Sequence, residues 1–598
     1  MDRKAILVVS ASVAFIILWV FVIVPKYLTK PTPPQSAQSV AAAEATVSGT
    51  NVTSSPQVII SSGGSTNAVA PFVAPSTPEQ TETLTTKDAR YVFTSHGGGL
   101  KQIELLAYPE TPGHARKFVT NRVATLNNHA PVPVMALLGD AALQGDSEFA
   151  LTRTANGIRA EKTLSNGLVV VKEFQPTSNH LFSATTKLEN RSGQPVTISP
   201  QLWVVGTATP VGPMPSSTDI PGVMWYDSAN KPIDTTTVWF DNKTFTGCLT
   251  GRQEPRSEYR GGASNVTWVA VHNQFFALAA MPSTNAPEVV LRSIKLPVPS
   301  LDDLPPNVTT PTAPQGIQAM LQYPGAVIPA GGALQRDFTF YAGPKKYTTL
   351  AEIGGQMDNH LENVMGFGFW GIVSKVLLIA MNWLHDTLGL QFGLTIIVIT
   401  AIIKTVFWPL TAASTRSAKR MAALAPQMKA LQEKYKDDPA KLQQKTMAFW
   451  KEHKVNPVGG CLPMVIQIPI FFGFFTMIRS AVELRGAHFL WITDLSLPDT
   501  LFYIPGINFP FNLLPLIMGA TMLWQAHLTP PSPGMDPTQQ KIMKYMPLMF
   551  MVFLYNYSAA LTVYWTTNNL LTILQTKLTK MNDKTPAPAA PVAPAKRK

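Results

Sequence analysis

FGLTIIVITAIIKTVFWPL, running from Phe392 to Leu410, is apolar almost throughout and carries one charge, Lys404, with the Thr400 hydroxyl one turn before it. Its length approaches the roughly 20 residues needed to cross a bilayer core. A cation near the centre of such a segment costs roughly 2.5 to 3.5 kcal/mol, so it usually faces a protein interior or a watery cavity and marks a pathway. Lys404 also lies six residues before Leu410, close enough for its stem to snorkel to the headgroups. The segments around it favour the pathway.

The 598 residues exceed one domain, and their apolar residues are unevenly spread. An uncharged run, Ala5 to Val24, follows Arg3 and Lys4; it is longer than a signal-peptide core and no A-x-A-like site precedes Pro25, so residues 1–24 read as an uncleaved anchor. No Cys follows that run to carry a lipid. Apolar segments return only after about Trp370, and beyond the Lys404 segment come Leu462 to Ile478, Phe511 to Leu528, Ile542 to Tyr555 and Ala559 to Leu574. The chain therefore reads as a membrane α-helical bundle of six transmembrane helices, at 1–24, 392–410, 461–480, 511–528, 542–557 and 558–576, with the last five forming the core. Several are short, which predicts locally thinned lipid around the bundle.

Basic residues orient the bundle, because Lys and Arg collect in short cytoplasmic loops. Thr411 to Val455 carries a net +6 and Lys577 to Lys598 a net +5, nearly all of the chain's +12. Both belong in the cytoplasm, with the N-terminus beside them, the loop 529–541 on the same side, and the loop 481–510 and everything from Pro25 to about Gln391 outside.

The outer part begins with 25–86, rich in Pro, Ser, Thr, Ala and Gly and free of Lys and Arg from Pro31 to Thr86, which predicts a flexible tether. From 87 to 347 the texture changes to short runs such as Leu168 to Val171, Val196 to Ile198 and Trp268 to Val271, separated by Gly, Pro, Asn and Asp: a large all-β sandwich. Cys248 is its one cysteine, so it holds no internal disulfide, and Cys461 at the start of a span reads as a small packing residue. In 348–391, Trp370, Val373, Val376, Leu377, Ala380, Trp383 and Leu384 fall on one helical face, and Lys375, Asn382 and Asp386 on the other, as in a helix lying in the outer interface. Just before it, Gly366 to Gly371 matches the G-x-G-x-x-G string, but two Phe and a Trp fill it at a membrane border, so it reads as no nucleotide site.

In the cytoplasmic segment 411–456, Met421, Leu424, Met428, Leu431 and Tyr435 recur at helical spacing, Asp437-Asp438-Pro439 supplies a stop and a new start, and Leu442, Thr446, Phe449 and Trp450 resume the pattern. This predicts a two-helix hairpin whose Arg416, Lys419, Arg420, Lys429 and Lys434 are candidates for recruiting anionic lipid, nucleic acid or an acidic partner. Within the spans, Thr400, Gln467, Gln525, Thr562, Thr566 and Asn569 are candidates to line a hydrated concavity around Lys404, although each also suits helix-packing hydrogen bonds. Phe471, Phe472, Phe475, Met546 and Met549 offer adaptable apolar surface for a client span, or ordinary core.

Val455-Asn456-Pro457-Val458-Gly459-Gly460-Cys461-Leu462-Pro463, followed by Gln467-Ile468-Pro469-Ile470-Phe471, resembles the signature opening the third span of the YidC-type membrane protein insertases. Trp408 to Thr411, Val482 to Arg485, Asp536 to Met543 and the order of all segments add to the resemblance. It implies the Gram-negative form, in a bacterial inner membrane with both termini cytoplasmic and a periplasmic β-supersandwich. Two departures stand out: Lys404 where the family commonly has Arg, and Tyr557-Ser558-Ala559-Ala560 where many members have Pro-Ser-Gly. The resemblance further implies an insertase and chaperone with no catalysis and no cofactor. Its partners would be nascent inner-membrane proteins, the Sec translocon, the ribosome, signal recognition components and membrane lipids. No Walker A string, H-E-x-x-H helix or zinc-spaced Cys and His cluster points to catalysis. A small-solute transporter also fits a lone intramembrane cation but calls for an inverted repeat that the sequence does not show. A carbohydrate-binding outer-face protein also fits a large β-sandwich, but no carboxylate pair is evident.

Overall fold

The structure is a computed structural model that describes residues 59–60, 72–110, 122–212, 219–227, 232–241, 254–300, 311–435, 438–453, 462–506, 509–528 and 537–581, all in one compact unit. The expected anchor 1–24, most of the tether, both cysteines, the Val455 to Cys461 part of the signature and the tail from Asn582 lie outside these residues.

The first half is built on antiparallel sheets, because its short runs alternate in burial. Leu181–Asn190 shows the pattern most plainly, with every second residue buried. Among the described residues, a nine-stranded sheet runs in space from Ile233–Thr236 through Gly222–Asp227, Val266–His272, Phe276–Pro282, Ala333–Pro344, Leu181–Asn190, Leu168–Pro176 and Ile158–Thr163 to Ala150–Arg153. A five-stranded sheet, centred on Gln315–Tyr323 and Gln201–Ala208, packs across it. Trp203 from the smaller sheet meets Phe338 from the larger with ring centroids 5.6 Å apart. At Gly206 the sheets approach closely: a Cβ there would stand 2.9 Å from Leu278 Cδ2, which favours a residue without a side chain.

The tether is shorter than its composition predicts. Thr81–Thr85 forms an edge strand on Ala89–Thr94, with Leu84 packed on the core, and Ile59–Ile60 pairs with Ala326–Ile328. Backbone pairing needs few apolar side chains, so a Thr-rich stretch joins a sheet that its composition does not reveal.

A helix, Tyr347–Met357, and two 3₁₀ turns, Leu361–Met365 and Gly368–Trp370, lead to the helix Gly371–Leu388. The glycine string thus follows one 3₁₀ turn and contains the next, with Gly366 and Gly368 at positive φ and no strand directly before it, unlike a dinucleotide loop. Gly371–Leu388 buries Ser374, Leu377, Leu378, Met381 and Leu384, while Ile372, Val376, Ile379 and Trp383 form a second, exposed apolar stripe. Val376 and Trp383 therefore do not share the packed face with Leu377 and Leu384. The two stripes adjoin, and helical spacing alone reads them as one.

Further helices are Phe392–Val406, Trp408–Ala423, Ala425–Lys434, Pro439–Glu452, Leu462–Ser480, Leu513–Leu528, Pro537–Phe553 and Ala559–Met581. The pattern expected as a two-helix hairpin is thus three helices, because the chain breaks at Leu424 rather than running straight to Tyr435. Asp438 caps the third through the Lys441 N–H, and Pro439 occupies its first turn. Among the described residues no single helix is long and apolar enough to cross a membrane; Gly368–Leu388 and Phe392–Val406 pass together but bend by 119°. At 1.5 Å per residue, the 15 residues of Phe392–Val406 reach about 22 Å. Apolar helices of this length suit a thin bilayer rather than a standard one.

The turn at Tyr557 to Ala560 is held by the loop that carries Leu495 and Leu497. Ala559 N–H donates to Leu497 O at 2.7 Å and Ala560 N–H to Leu495 O at 2.9 Å, so backbone carbonyls satisfy the first donors of the final helix. Both alanines are buried, and their small side chains let that loop approach.

Candidate functional site

Lys404 stands in the last turn of Phe392–Val406, half-buried, and turns sideways into the bundle rather than down toward the helix end. Its ammonium donates to Thr572 Oγ1 at 2.9 Å, and among the described residues it forms no ion pair. Gln575, one turn beyond Thr572, donates to the Lys404 carbonyl at 2.8 Å. Two contacts from the final helix thus fix both ends of the lysine.

The other polar candidates divide into pairs. Asn569 donates to Thr521 at 3.2 Å, tying Ala559–Met581 to Leu513–Leu528, the helix that also carries half-buried Gln525. Gln467 donates to Tyr564 OH at 2.7 Å, tying Leu462–Ser480 to the final helix. Thr400 and Thr562 are buried and return their hydroxyls to Ile396 O and Ser558 O within their own helices. Thr566 is buried with no hydrogen-bond partner for its hydroxyl among the described residues, a polar atom facing the interior. Asn569 and Gln467 thus tie the final helix to two neighbours, while its Thr572 and Gln575 tie it to the helix of Lys404.

Thr572, Gln575, Thr521 and Tyr564 complete these pairs and are not singled out by the sequence. A Thr or Gln near the end of an apolar helix looks ordinary until a partner helix faces it. Spacing gave one available signal: Thr572 lies three residues after Asn569, one turn further along the same side of the helix.

The apolar candidates form two classes. Phe471 and Phe475 are half-buried, Phe471 against Trp565 at 4.8 Å and Phe475 against Tyr557 at 5.8 Å. Phe472 is 41% exposed, and Met546 and Met549 are also exposed. A surface of packed rings beside free, unbranched side chains suits apolar segments of varied shape.

On the basic helices, Arg416, Arg420, Lys429 and Lys434 are exposed, and Lys434 lies over the Tyr435 ring at 5.7 Å. The Lys419 side chain lies outside the described residues.

A family described as 60Kd inner membrane protein matches residues 383–585, and one described as YidC periplasmic domain matches residues 82–380. A relative named membrane protein insertase YidC, from Bordetella avium (strain 197N), is 33% identical over 520 residues, covering 84% of this chain and 83% of the relative. Another of that name, from Syntrophus aciditrophicus (strain SB), is 30% identical over 598 residues, covering 96% and 98%. A crystal structure titled as an active YidC insertase with its first transmembrane domain resolved is 18% identical, covers 86% of this chain and 95% of its own, and has a TM-score of 0.33. With identity at this level sustained over nearly the full length, the chain belongs to the YidC family of membrane protein insertases.

Proposed function

We propose that this chain is a membrane protein insertase and chaperone that passes apolar segments of newly made proteins into the inner membrane by way of the polar groove at Lys404. The observation that carries the reading is the pairing of Lys404, on the short apolar helix Phe392–Val406, with one neutral hydroxyl, that of Thr572 on the final helix. Such a cation remains available to an incoming acidic tail, and its attraction exceeds that in bulk water because the surroundings are less polarisable. Short helices in thinned lipid reduce the layer that a client's polar tail must still cross. The client span then leaves past Phe471, Phe472, Phe475, Met546 and Met549 into lipid, driven by burial of its apolar surface.

In this reading the chain makes six spans with five as the core, both termini lie in the cytoplasm, and the β domain lies in the periplasm. The exposed basic residues Arg416, Arg420, Lys429 and Lys434, with Lys419, receive the ribosome, signal recognition components or anionic lipid, and the Sec translocon takes part for some clients. The work is mechanical and needs no cofactor.

The test is insertion of a small single-span protein with an acidic outer tail into liposomes containing only this protein, scored by protease protection. Wild type and Lys404→Arg are expected to insert it, and Lys404→Glu to lose activity for acidic tails. Equal activity of Lys404→Arg and Lys404→Glu would remove the attraction step. No insertion by wild type above empty liposomes would remove autonomous insertion.

A further inference from the structure

Asn382 on the helix Gly371–Leu388 reaches Glu483 on the 3₁₀ turn Val482–Leu484, which follows the helix Leu462–Ser480. The Asn382 amide donates to Glu483 Oε1 at 3.1 Å. The two remaining oxygens of the pair, Asn382 Oδ1 and Glu483 Oε2, are both buried without a hydrogen-bond partner among the described residues. Each residue of this hydrogen-bonded pair thus keeps one buried acceptor without a donor, and a single proton on Glu483 Oε2 would be the donor the pair lacks.

We propose that Glu483 is protonated and forms a cyclic acid–amide pair with Asn382, a latch that holds the interfacial helix to the outer end of the third-span helix and releases when the proton leaves. In the pair, Asn382 donates to Oε1 while the Glu483 carboxyl O–H donates to Asn382 Oδ1, so every polar atom is satisfied. Loss of the proton returns a carboxylate facing an amide oxygen, which is repulsive and buried.

The surroundings act in both directions. Burial pushes the Glu483 carboxyl up; its own backbone N–H, Asn382 and Lys346 pull it down; Asp386, on the interfacial helix, pushes it up again. Tyr108 from the strand Gly99–Pro109 faces it, and Arg485 two residues on is held by Pro109 O and Glu110 O at 2.7 and 2.8 Å. The net shift is upward, so the latch is complete below the ordinary glutamate value of 4.5 and weakens as pH rises from there through the raised value.

A second contact between the same helices is indifferent to pH. Ser374 Oγ lies 3.0 Å from Gly473 O and 2.6 Å from Thr476 Oγ1, all neutral groups. Asn382 is eight residues, about 12 Å, further along the helix. Deprotonation of Glu483 thus frees one end of the interfacial helix while Ser374 keeps the other in place. Asn382 and Glu483 are positioning residues: they set how closely the outer end of the third-span helix, which carries Phe471, Phe472 and Phe475, is held. That consequence rests on the insertase reading; the latch itself does not.

The experiment uses the full chain in liposomes across a pH series, with infrared detection of protonated carboxyl groups and hydrogen exchange of residues 371–388. The expected result is a carboxylic-acid band that persists above pH 4.5, is absent in Glu483→Gln, and titrates together with a loss of protection of the interfacial helix. Glu483→Gln, a neutral isostere that can pair with Asn382, is expected to keep protection constant with pH. Protection of the wild type that does not change as pH rises overturns the latch, and this holds even if Glu483→Gln does not fold. Absence of a band that depends on Glu483 overturns it as well. Insertion by wild type is expected to change over the same pH window and that by Glu483→Gln not to. A wild type that inserts nothing at any pH sinks the insertase reading and leaves the latch to be judged by the band and the protection.

Discussion

In the proposed pathway, Thr572, which accepts from the Lys404 ammonium at 2.9 Å, would compete with a client's acidic tail for it. A neutral hydroxyl is a weaker partner for a cation than a carboxylate, which adds the attraction between opposite charges to the hydrogen bond. Thr572→Val is therefore expected to leave insertion of acidic-tailed clients within about twofold, whereas Lys404→Met is expected to lower it about tenfold, near 1.4 kcal/mol in barrier. Protease protection of the translocated tail measures both. If Thr572→Val fails as severely as Lys404→Met, the hydroxyl orients the lysine rather than merely parking it. Lys404 is legible in sequence because a charge interrupts an apolar run. Its partner is not, because Thr572 lies 168 residues away and resembles any polar residue on a helix.

Helix packing turns on Gly473. A Cβ there would lie 2.5 Å from Val373 Cγ1, so Gly473 is what lets the helix Leu462–Ser480 touch the helix Gly371–Leu388. Gly473→Ala is expected to destabilise the pair by roughly 1 to 3 kcal/mol, the usual cost of overpacking, and Val373→Ala to rescue it. Thermal unfolding in detergent checks the pair of variants, and a Gly473→Ala protein as stable as wild type would show that the helices can slide apart freely. The final helix makes a similar demand at Ala560, fully buried under the outer loop whose Leu495 carbonyl accepts its N–H. Ala560→Leu is expected to displace that loop and speed hydrogen exchange of the Ala560 amide. Helix existence was readable here from apolar runs, and Asp438 and Pro439 announced a start. The faces were not readable: on Gly371–Leu388 both apolar stripes satisfy helical spacing, and only the neighbours reveal that Leu377 and Leu384 pack while Val376 and Trp383 do not.

At the scale of the molecule, buried lysines give the β domain its own pH response. Lys172 is fully buried, donates to Gly97 O at 2.6 Å and lies 4.5 Å from the centre of the Phe149 ring. Burial pulls Lys172 down to about 7, with Lys162 adding to the effect, and pulls Lys162 and Lys345 down to about 8. The unfolded chain therefore holds more protons than the folded one from about pH 7 upward, and stability rises with pH in that window. Buried Tyr91 and Tyr323, pushed up to about 12, reverse the slope above pH 10, where unfolded tyrosines lose their protons first. The unfolding midpoint of the β domain is expected to climb between pH 7 and 10, and Lys172→Met to flatten that climb; a midpoint falling steadily over the range contradicts it. The sequence by itself determined the division into an outer β half and an apolar helical half, the family, and Lys404 as the charge to explain, because hydrophobic period, charge runs and local motifs are properties of neighbouring residues. Tertiary structure alone decided that Lys404 meets Thr572, that Asn382 meets Glu483 across 101 residues, and that Leu495 and Leu497 cap the final helix. Those pairings satisfy buried polar groups across helices, and which donor finds which acceptor depends on how the helices pack, which no local pattern encodes.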